Sequence, residues 1–359
     1  MDTSAMTKKE LKEYRQQLKR EEAIKKMKNH EKTTFLMRLR YKYLTWYFAK
    51  KFIWALFRFV LLIGISYVIL FPYISKISGS FMSRDDFTDV MVKLIPREPT
   101  LDTYRAIIND NDYFQALLNT TVLSVLCGVS QTLICSIVGY GFAKFKFKFK
   151  NLIFLCVIFT MIVPHETLQL SMFMKFRYFD IWGIYGFIAK YIFGSQVTTP
   201  AIASMLNTYW PFIILSITGL AFKNGLFIYI MRQYFNGVPD ELEEAAYVDG
   251  AGVIKTFVRI IIPMAVSMMV TIFMFAFSWQ WSDSFYTGLF FTSTKSARVL
   301  LPNIVKVPVS LDTDYVAQTT YESAIRNTCG LLILAPLVII YMFAQRTLIE
   351  GVERSGITG

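Results

Sequence analysis

The polar segment from Glu241 to Arg259, ELEEAAYVDGAGVIKTFVR, interrupts an otherwise strongly apolar chain. It holds four carboxylates, two glycines and two basic residues, and an Ile-Ile-Ile-Pro run follows it. Carboxylates beside small residues suit contact with another protein, because small side chains let a partner approach closely. The sequence shows no nucleophile with a neighbouring base and no catalytic pair of carboxylates, so we do not expect an enzyme.

The dipeptide His165-Glu166 follows Pro164 within the apolar run MIVPHETLQL. Ionisable residues are costly inside a membrane and by default indicate a solute or ion pathway. Two interpretations stay open: the pair faces a polar cavity that carries solute, or it stands at a helix end, exposed or paired locally. We expect no metal site, because the dipeptide has no evident second ligand and the chain has only two histidines.

A second polar cluster lies in FSWQWSDSF, from Phe277 to Phe285. Its indole rings could stack on a sugar ring, while its amide and carboxylate could form hydrogen bonds with the solute. Tryptophans near the end of a membrane span more often anchor that span at the interface. The candidate residues for solute contact in this cluster are Trp279, Gln280, Trp281 and Asp283.

The composition indicates which class of element must position these groups. Of 359 residues, 54% are hydrophobic and 18% are charged, whereas soluble domains carry roughly 25% charged residues. We therefore predict an all-α membrane protein. Its net charge of +12 suits orientation in a bilayer better than nucleic-acid binding. The four cysteines lie in apolar runs without metal-ligand spacing, so they are predicted to be small core residues. We also expect no cofactor.

Apolar runs of roughly 20 residues are long enough to cross a bilayer. About six such runs would form a transmembrane domain over residues 51–359, with both termini on one side. Residues 1–50 are predicted to form a separate basic, helical extension, either lying at the membrane interface or solvated. The predicted spans are 52–73, 116–143, 152–174, 209–231, 263–285 and 328–343.

The distribution of charge predicts the orientation of these spans. The basic N-terminal tail and the lysine-rich turn AKFKFKFKN fall on one side of a six-span arrangement, whereas a run of aspartates follows the first span. Because basic residues concentrate in cytoplasmic loops, we expect both termini, the lysine turn and the Glu241–Arg259 segment on the cytoplasmic side of a prokaryotic cell membrane.

Local signals predict a helix–turn–helix platform in the Glu241–Arg259 segment. Pro239 and Asp240 precede helix-forming residues, with Asp240 at the N-cap position. Gly250 and Gly252 would end this first short helix, and VIKTFVRIIIP would begin a second. A loop that merely folds back to cap the helix bundle would show the same features.

The spacing within this platform resembles the EAA loop of ABC-importer permeases. The tripeptide EAA at residues 244–246 is followed by three residues and Gly250. Nine further residues lead to Ile260, one more residue and Ile262-Pro263, with Ile262 where the family usually has leucine. More broadly, residues 55–359 are similar to the maltose-type sugar-permease branch. The similar segments are LLNTTVLSV, GYGFAKFKFKFKNLIF, IMRQYFNGVPDELEEAAYVDGAG, RIIIPMA and AQRTLIEGVERSGITG. The stretch 178–207 is longer than the usual outer loop of that branch.

This resemblance implies a type I ABC importer permease fold and a division of work among subunits. The chain would pair with a second homologous permease, receive a sugar or oligosaccharide from an extracytoplasmic solute-binding protein, and be driven by a dimer of cytoplasmic ATPase subunits. The chain has no GxxxxGK[ST] phosphate loop of its own. The EAA-loop residues that the resemblance assigns to ATPase coupling are Glu244, Ala245, Ala246, Asp249 and Gly250.

Three alternatives stay open from the sequence. The same machinery could import another polar solute, such as a modified saccharide or a peptide. A self-contained secondary transporter or channel is a second alternative, although it predicts internal repeats and coupling carboxylates within the spans. A membrane-bound scaffold or receptor is a third, and it leaves the EAA-like spacing unexplained.

Overall fold

A computed structural model describes residues 18–22, 46–180, 191, 204–292, 299–311, 313–314 and 318–356. The chain divides into two compact units, 1–75 and 76–359, and the boundary falls within the first long helix, α1 (Trp46–Gly79). The predicted extension over residues 1–50 lies outside the described residues except for 18–22 and 46–50, and much of the outer stretch 178–207 lies outside them too. The domain boundary predicted at residue 50 stays a prediction.

The described residues contain helices and turns without any β-strand, which confirms the all-α prediction. Among the described residues, four helices are long and apolar enough to cross a membrane, and a bent pair of helices would make a fifth span if it crosses as one. The four helices are Lys50–Gly79, Tyr113–Lys144, Val253–Trp281 and Gln318–Ile349. After α1, the helices in chain order are α2 (Asp102–Asp110), α3 (Tyr113–Lys144), α4 (Lys150–Ile162), α5 (Gln169–Arg177), α6 (Trp210–Ile217), α7 (Asn224–Asn236), α8 (Glu241–Val248), α9 (Val253–Trp281), α10 (Phe285–Phe290) and α11 (Gln318–Gly356).

Two of the six predicted spans are broken helices. The span predicted at 152–174 is α4 followed by a short 3-10 turn and α5, and the two parts are bent by 94° at a break that contains Pro164. The span predicted at 209–231 is α6 and α7, separated by a segment in which Gly219 and Lys223 have φ of 74° and 70°. Left-handed residues cannot continue a right-handed helix, and neither α6 nor α7 reaches the roughly 20 residues of a full crossing.

Helix α3 packs against α6, α7 and α9, and α9 also packs against α11. The approach of α3 to α7 is close at Gly139, where an added Cβ would lie 2.6 Å from the Cβ of Met231. The small cysteines Cys135 and Cys329 are fully buried in the core, in agreement with the sequence interpretation, whereas Cys156 is exposed. The fold therefore centres on α3.

Helix α11 contains Pro336, which has no N–H to donate to the carbonyl of Leu332 one turn earlier. Tyr113, the first residue of α3, donates its hydroxyl to that carbonyl at 3.1 Å. The indole of Trp281 donates to the next carbonyl, that of Ile333, at 2.9 Å. The ends of α3 and α9 thus supply donors at the place where the backbone ladder of α11 is interrupted.

Candidate functional site

The short helix α8 ends in a Schellman motif. Gly250 has φ of 75° and donates its N–H to Tyr247, while Ala251 donates to Ala246 at 2.9 Å. This pair of bonds is the usual way for a left-handed residue to close a helix, and glycine adopts that conformation without a steric penalty. Gly252 then stands at the N-cap of α9. The structure confirms the predicted pair of helices joined by a glycine turn.

Four of the five residues predicted to couple to an ATPase are exposed, and the fifth, Ala246, is only 5% exposed and packs inward. Ala246 therefore anchors α8 and cannot present its side chain to a partner, whereas Glu244 can. Exposed apolar residues accompany Glu244, and Val248 is 88% exposed. We call this set the α8 surface: Glu244, Tyr247, Val248, Asp249 and Ile254.

The lysine turn and α8 lie at the same end of the helices, joined through Lys144. Its ammonium group donates to the carbonyl of Val238 at 2.5 Å and also contacts the carboxylate of Asp240. Asp240 occupies the N-cap position of α8 as predicted, but its side chain does not cap the helix. Its hydrogen bond with Lys144, followed by the Lys144 charge, lowers the pKa of Asp240.

Beneath the α8 surface lies a buried acid, Glu243, which is 7% exposed. Its Oε1 atom has no hydrogen-bond partner among the described residues. Burial raises the pKa of Glu243, and the nearby positive charge of Lys144 opposes that shift. The platform therefore contains exposed acids, among them Glu244, that can contact a partner, and one buried acid, Glu243.

Far from α8 along α9, a cavity of about 170 Å³ is enclosed by residues of α3, α6, α9, α10 and the turn after Pro164. Three aromatic or amide side chains form part of its wall: Phe222, Trp279 and Gln280. Two carboxylates, Glu166 and Asp283, also line it. Four of the six residues that the sequence suggested for solute contact thus line one cavity, with Glu166 more than 100 residues before the other three.

The carboxylate of Asp283 is already engaged with the backbone of α10. It accepts hydrogen bonds from the amides of Tyr286 at 3.2 Å and Thr287 at 3.0 Å. Asp283 consequently closes the start of α10 and shapes the cavity wall. Trp281 is 1% exposed and packs in the core, so the suggestion that it stacks on a solute is wrong; its neighbour Trp279 is the indole that reaches the cavity.

The two residues of the His165-Glu166 dipeptide line different cavities. Nδ1 of His165 lies 2.5 Å from the hydroxyl of Tyr286, and its ring packs on Phe222 with centroids 4.8 Å apart. His165 lines a neighbouring, mainly apolar cavity of about 470 Å³. His165 is therefore paired with Tyr286, whereas Glu166 lines the smaller cavity. Among the described residues, no three His, Cys, Asp or Glu side chains could together hold a metal ion.

The buried amide of Gln131 belongs to the cavity wall, although Gln131 was not among the sequence candidates. Gln131 lies within α3, is 3% exposed and lines the same cavity as Gln280. The available signal was a lone amide inside the apolar run VLCGVSQTLIC, since a polar side chain at membrane depth needs a partner. Hydropathy averaged over a span conceals such a residue.

The comparisons with known proteins agree with this architecture. Residues 132–354, more than half of the chain, match the family described as "Binding-protein-dependent transport system inner membrane component". The chain is 23% identical over 319 residues to the galactooligosaccharides transport system permease protein GanQ of Bacillus subtilis, covering 87% of this chain and 98% of GanQ. It is 26% identical over 309 residues to the trehalose/maltose transport system permease protein MalG of Thermococcus litoralis, covering 84% and 97%.

A solved structure has a similar fold. It is the crystal structure of a bacterial ABC transporter involved in the import of the acidic polysaccharide alginate, with a TM-score of 0.60 and 18% identity over 83% of this chain and 97% of that chain. The helices, the extent of the family match and this likeness in fold lead to one conclusion. The chain belongs to the family of inner-membrane components of binding-protein-dependent transport systems.

Proposed function

We propose that the chain is a permease subunit of an ATP-driven importer that moves a sugar or oligosaccharide by alternating access. The similar proteins GanQ and MalG, whose names refer to the transport of galactooligosaccharides and of trehalose and maltose, support this class of solute. Another polar solute carried by the same machinery is the alternative. In this proposal a separate ATPase dimer supplies the energy, and this chain performs no catalysis.

The observation that carries the proposal is the course of α9. Its first residues pack against α8, and its last turn supplies Trp279 and Gln280 to the polar cavity. A helix of 29 residues extends about 43 Å at ~1.5 Å per residue. A displacement of α8 by an ATPase is thereby transmitted to the cavity wall through one continuous element.

The α8 surface is the proposed docking surface for the ATPase. Exposed apolar side chains such as Val248 and Ile254 provide area to bury, and Glu244 provides a charge for a basic partner. We place this end in the cytoplasm, because the lysine turn lies beside it through Lys144 and basic residues concentrate on that side. Both termini are proposed to be cytoplasmic as well.

The other end of the protein is proposed to receive solute from an extracytoplasmic binding protein, with the pathway completed by a second homologous permease. The cavity offers aromatic rings for the faces of a sugar and amides for its hydroxyl groups. Its wall includes the exposed carboxylate of Glu166. The substrate-pathway residues of the proposal are Glu166, Trp279 and Gln280, with His165 and Asp283 as positioning residues.

The test is affinity purification of the full chain from its native membrane in mild detergent, followed by mass spectrometry. We expect an ATPase subunit, a second permease and a binding protein to accompany the wild type. Glu244→Lys should release the ATPase, because it reverses a charge on the α8 surface. The control is Glu98→Lys, which reverses an exposed charge on another part of the chain. Recovery of the chain without any ATPase at every salt concentration would contradict the proposal.

A further inference from the structure

The orientation of the Gln131 amide follows from its neighbour Ser216. The Ser216 hydroxyl donates to the carbonyl of Phe212 at 2.7 Å, so its single hydrogen is already used. The Gln131 atom that lies 3.3 Å from the Ser216 oxygen must therefore be its NH₂ group. This contact directs the carbonyl oxygen of Gln131, Oε1, away from Ser216.

Gln131 and Gln280 line the same cavity, and each has one buried polar atom without a partner among the described residues. Oε1 of Gln131 is a buried acceptor, and Nε2 of Gln280 is a buried donor; neither has a hydrogen-bond partner among the described residues. The two atoms do not bond to each other, although one could donate to the other. Leaving buried polar groups unpaired is costly, so such a pair in one cavity indicates that a third group joins them.

We infer that Gln131 and Gln280 form an amide clamp for one hydroxyl group of the solute. The solute oxygen accepts a hydrogen bond from Nε2 of Gln280, and its hydrogen is donated to Oε1 of Gln131. This inference rests on the proposed function and adds Gln131 as a specificity-determining residue.

The donor and acceptor pattern selects the chemistry of the ligand. A carboxylate or a phosphate dianion has no hydrogen to donate to Gln131, and an ammonium group has no lone pair for Gln280. A hydroxyl group has both. At about 170 Å³, the cavity is smaller than the roughly 300–1,000 Å³ of sites that enclose a drug-sized ligand, so it suits one segment of a chain such as a single sugar ring. The exposed ring of Trp279 lies beside it as a stacking surface.

The experiment measures uptake by cells in which the gene for this chain is deleted and supplied again as wild type or variant. The probes are radiolabelled trehalose, maltose, galactobiose and the dipeptide glycylglycine. For the sugar that the wild type imports, Gln131→Leu should lower the maximal rate per complex about tenfold, the effect of losing one well-formed hydrogen bond. Gln280→Leu should do the same and serves as a second variant if Gln131→Leu does not fold. Thr132→Val is the control, because that hydroxyl bonds within α3 to Gly128 and does not line the cavity.

Monodeoxy analogues of the imported sugar then identify the clamped hydroxyl. For the analogue that lacks it, the wild type should lose about tenfold in rate and Gln131→Leu should lose nothing further, since the bond is already absent. A wild-type rate for Gln131→Leu with the parent sugar overturns the clamp and leaves the proposed function standing. A loss that stays the same with every analogue shows a structural or water-binding role and also overturns it. If glycylglycine alone, or no probe, depends on the chain for uptake, the sugar-import proposal and the clamp fall together.

Discussion

At the scale of single residues, the α8 platform depends on side chains that differ in exposure although they are neighbours in the chain. Glu243 and Ala246 face inward, while Glu244 and Ala245 face outward. This alternation follows from the helix period of 3.6 residues, which puts positions three apart on one face. A substitution on the inner face should therefore change stability, and one on the outer face should change coupling.

Gly250→Val should uncouple transport from ATP hydrolysis while leaving the chain inserted in the membrane. Gly250 has φ of 75°, a conformation that costs a β-branched residue on the order of 1–3 kcal/mol, and no atom lies near the position of an added Cβ. The penalty is therefore one of backbone strain at the end of α8. The uncoupling is measured by comparing solute uptake with the ATPase activity of the purified complex.

The matched control is Gly252→Ala, two residues later. Gly252 has φ of −74° and equally open surroundings, so alanine fits without strain. Normal uptake by the Gly250→Val variant, or an equal loss with Gly252→Ala, would contradict the role assigned to the turn.

Glu243→Gln should stabilise the protein at neutral pH. Because the folded-state pKa of Glu243 is raised by burial, the native state favours the protonated acid. The corresponding stability is present below the unfolded pKa of about 4.5 and is lost as the pH rises through the folded value. An amide cannot ionise, so the variant should gain on the order of 1 kcal/mol at pH 7.

The measurement is the apparent midpoint of thermal unfolding in detergent between pH 4 and pH 8, compared with wild type. The difference between the two proteins should grow as the pH rises. Glu241→Gln is the control, because Glu241 is exposed on the same helix. A difference that shrinks with rising pH would show that Glu243 is stabilised as the anion.

At the scale of helices, the breaks in the spans are compensated by neighbours. Pro336 leaves the carbonyl of Leu332 without its backbone donor, and Tyr113 of α3 supplies one. In a membrane no water is at hand to replace such a bond, so the donor has to come from a packed neighbour. The pairing of α3 with α11 is thus tied to a single irregularity in α11.

Tyr113→Phe should destabilise the protein by about 0.6–2 kcal/mol, the range for hydrogen bonds between membrane helices. The same substitution should be nearly neutral in a Pro336→Ala background, because alanine restores the internal donor to Leu332. Unfolding in a graded mixture of detergents measures the four proteins of this double-mutant cycle. Equal effects of Tyr113→Phe in both backgrounds would separate its role from that of the proline.

At the scale of the whole permease unit, the α8 surface and the cavity are connected by the same helices. Helix α3 carries Lys144 at the end with α8 and contributes Gln131 to the cavity, and α9 runs from α8 to Trp279. The close approach of α3 and α7 at Gly139 leaves little room for sliding between them. We therefore expect this group of helices to move together when an ATPase displaces α8.

The amino-acid sequence determined those features of this protein that depend on local chemistry and on the length of apolar segments. Apolar stretches of sufficient length predicted the four continuous spans, and the EAA-like spacing with Gly250 predicted a short helix and its turn. These predictions succeed because helix length, helix termination and transfer into lipid are set by residues close together in the chain.

Tertiary structure alone decided which polar residues meet. Trp279 and Trp281 are two positions apart with the same chemistry, but one lines the cavity and the other packs beneath α11. Gln131 and Gln280 line one cavity although they lie far apart in the chain, and breaks near Pro164 and Gly219 interrupt two predicted spans. Burial and pairing depend on neighbours that lie far away along the chain, so no local pattern specifies them.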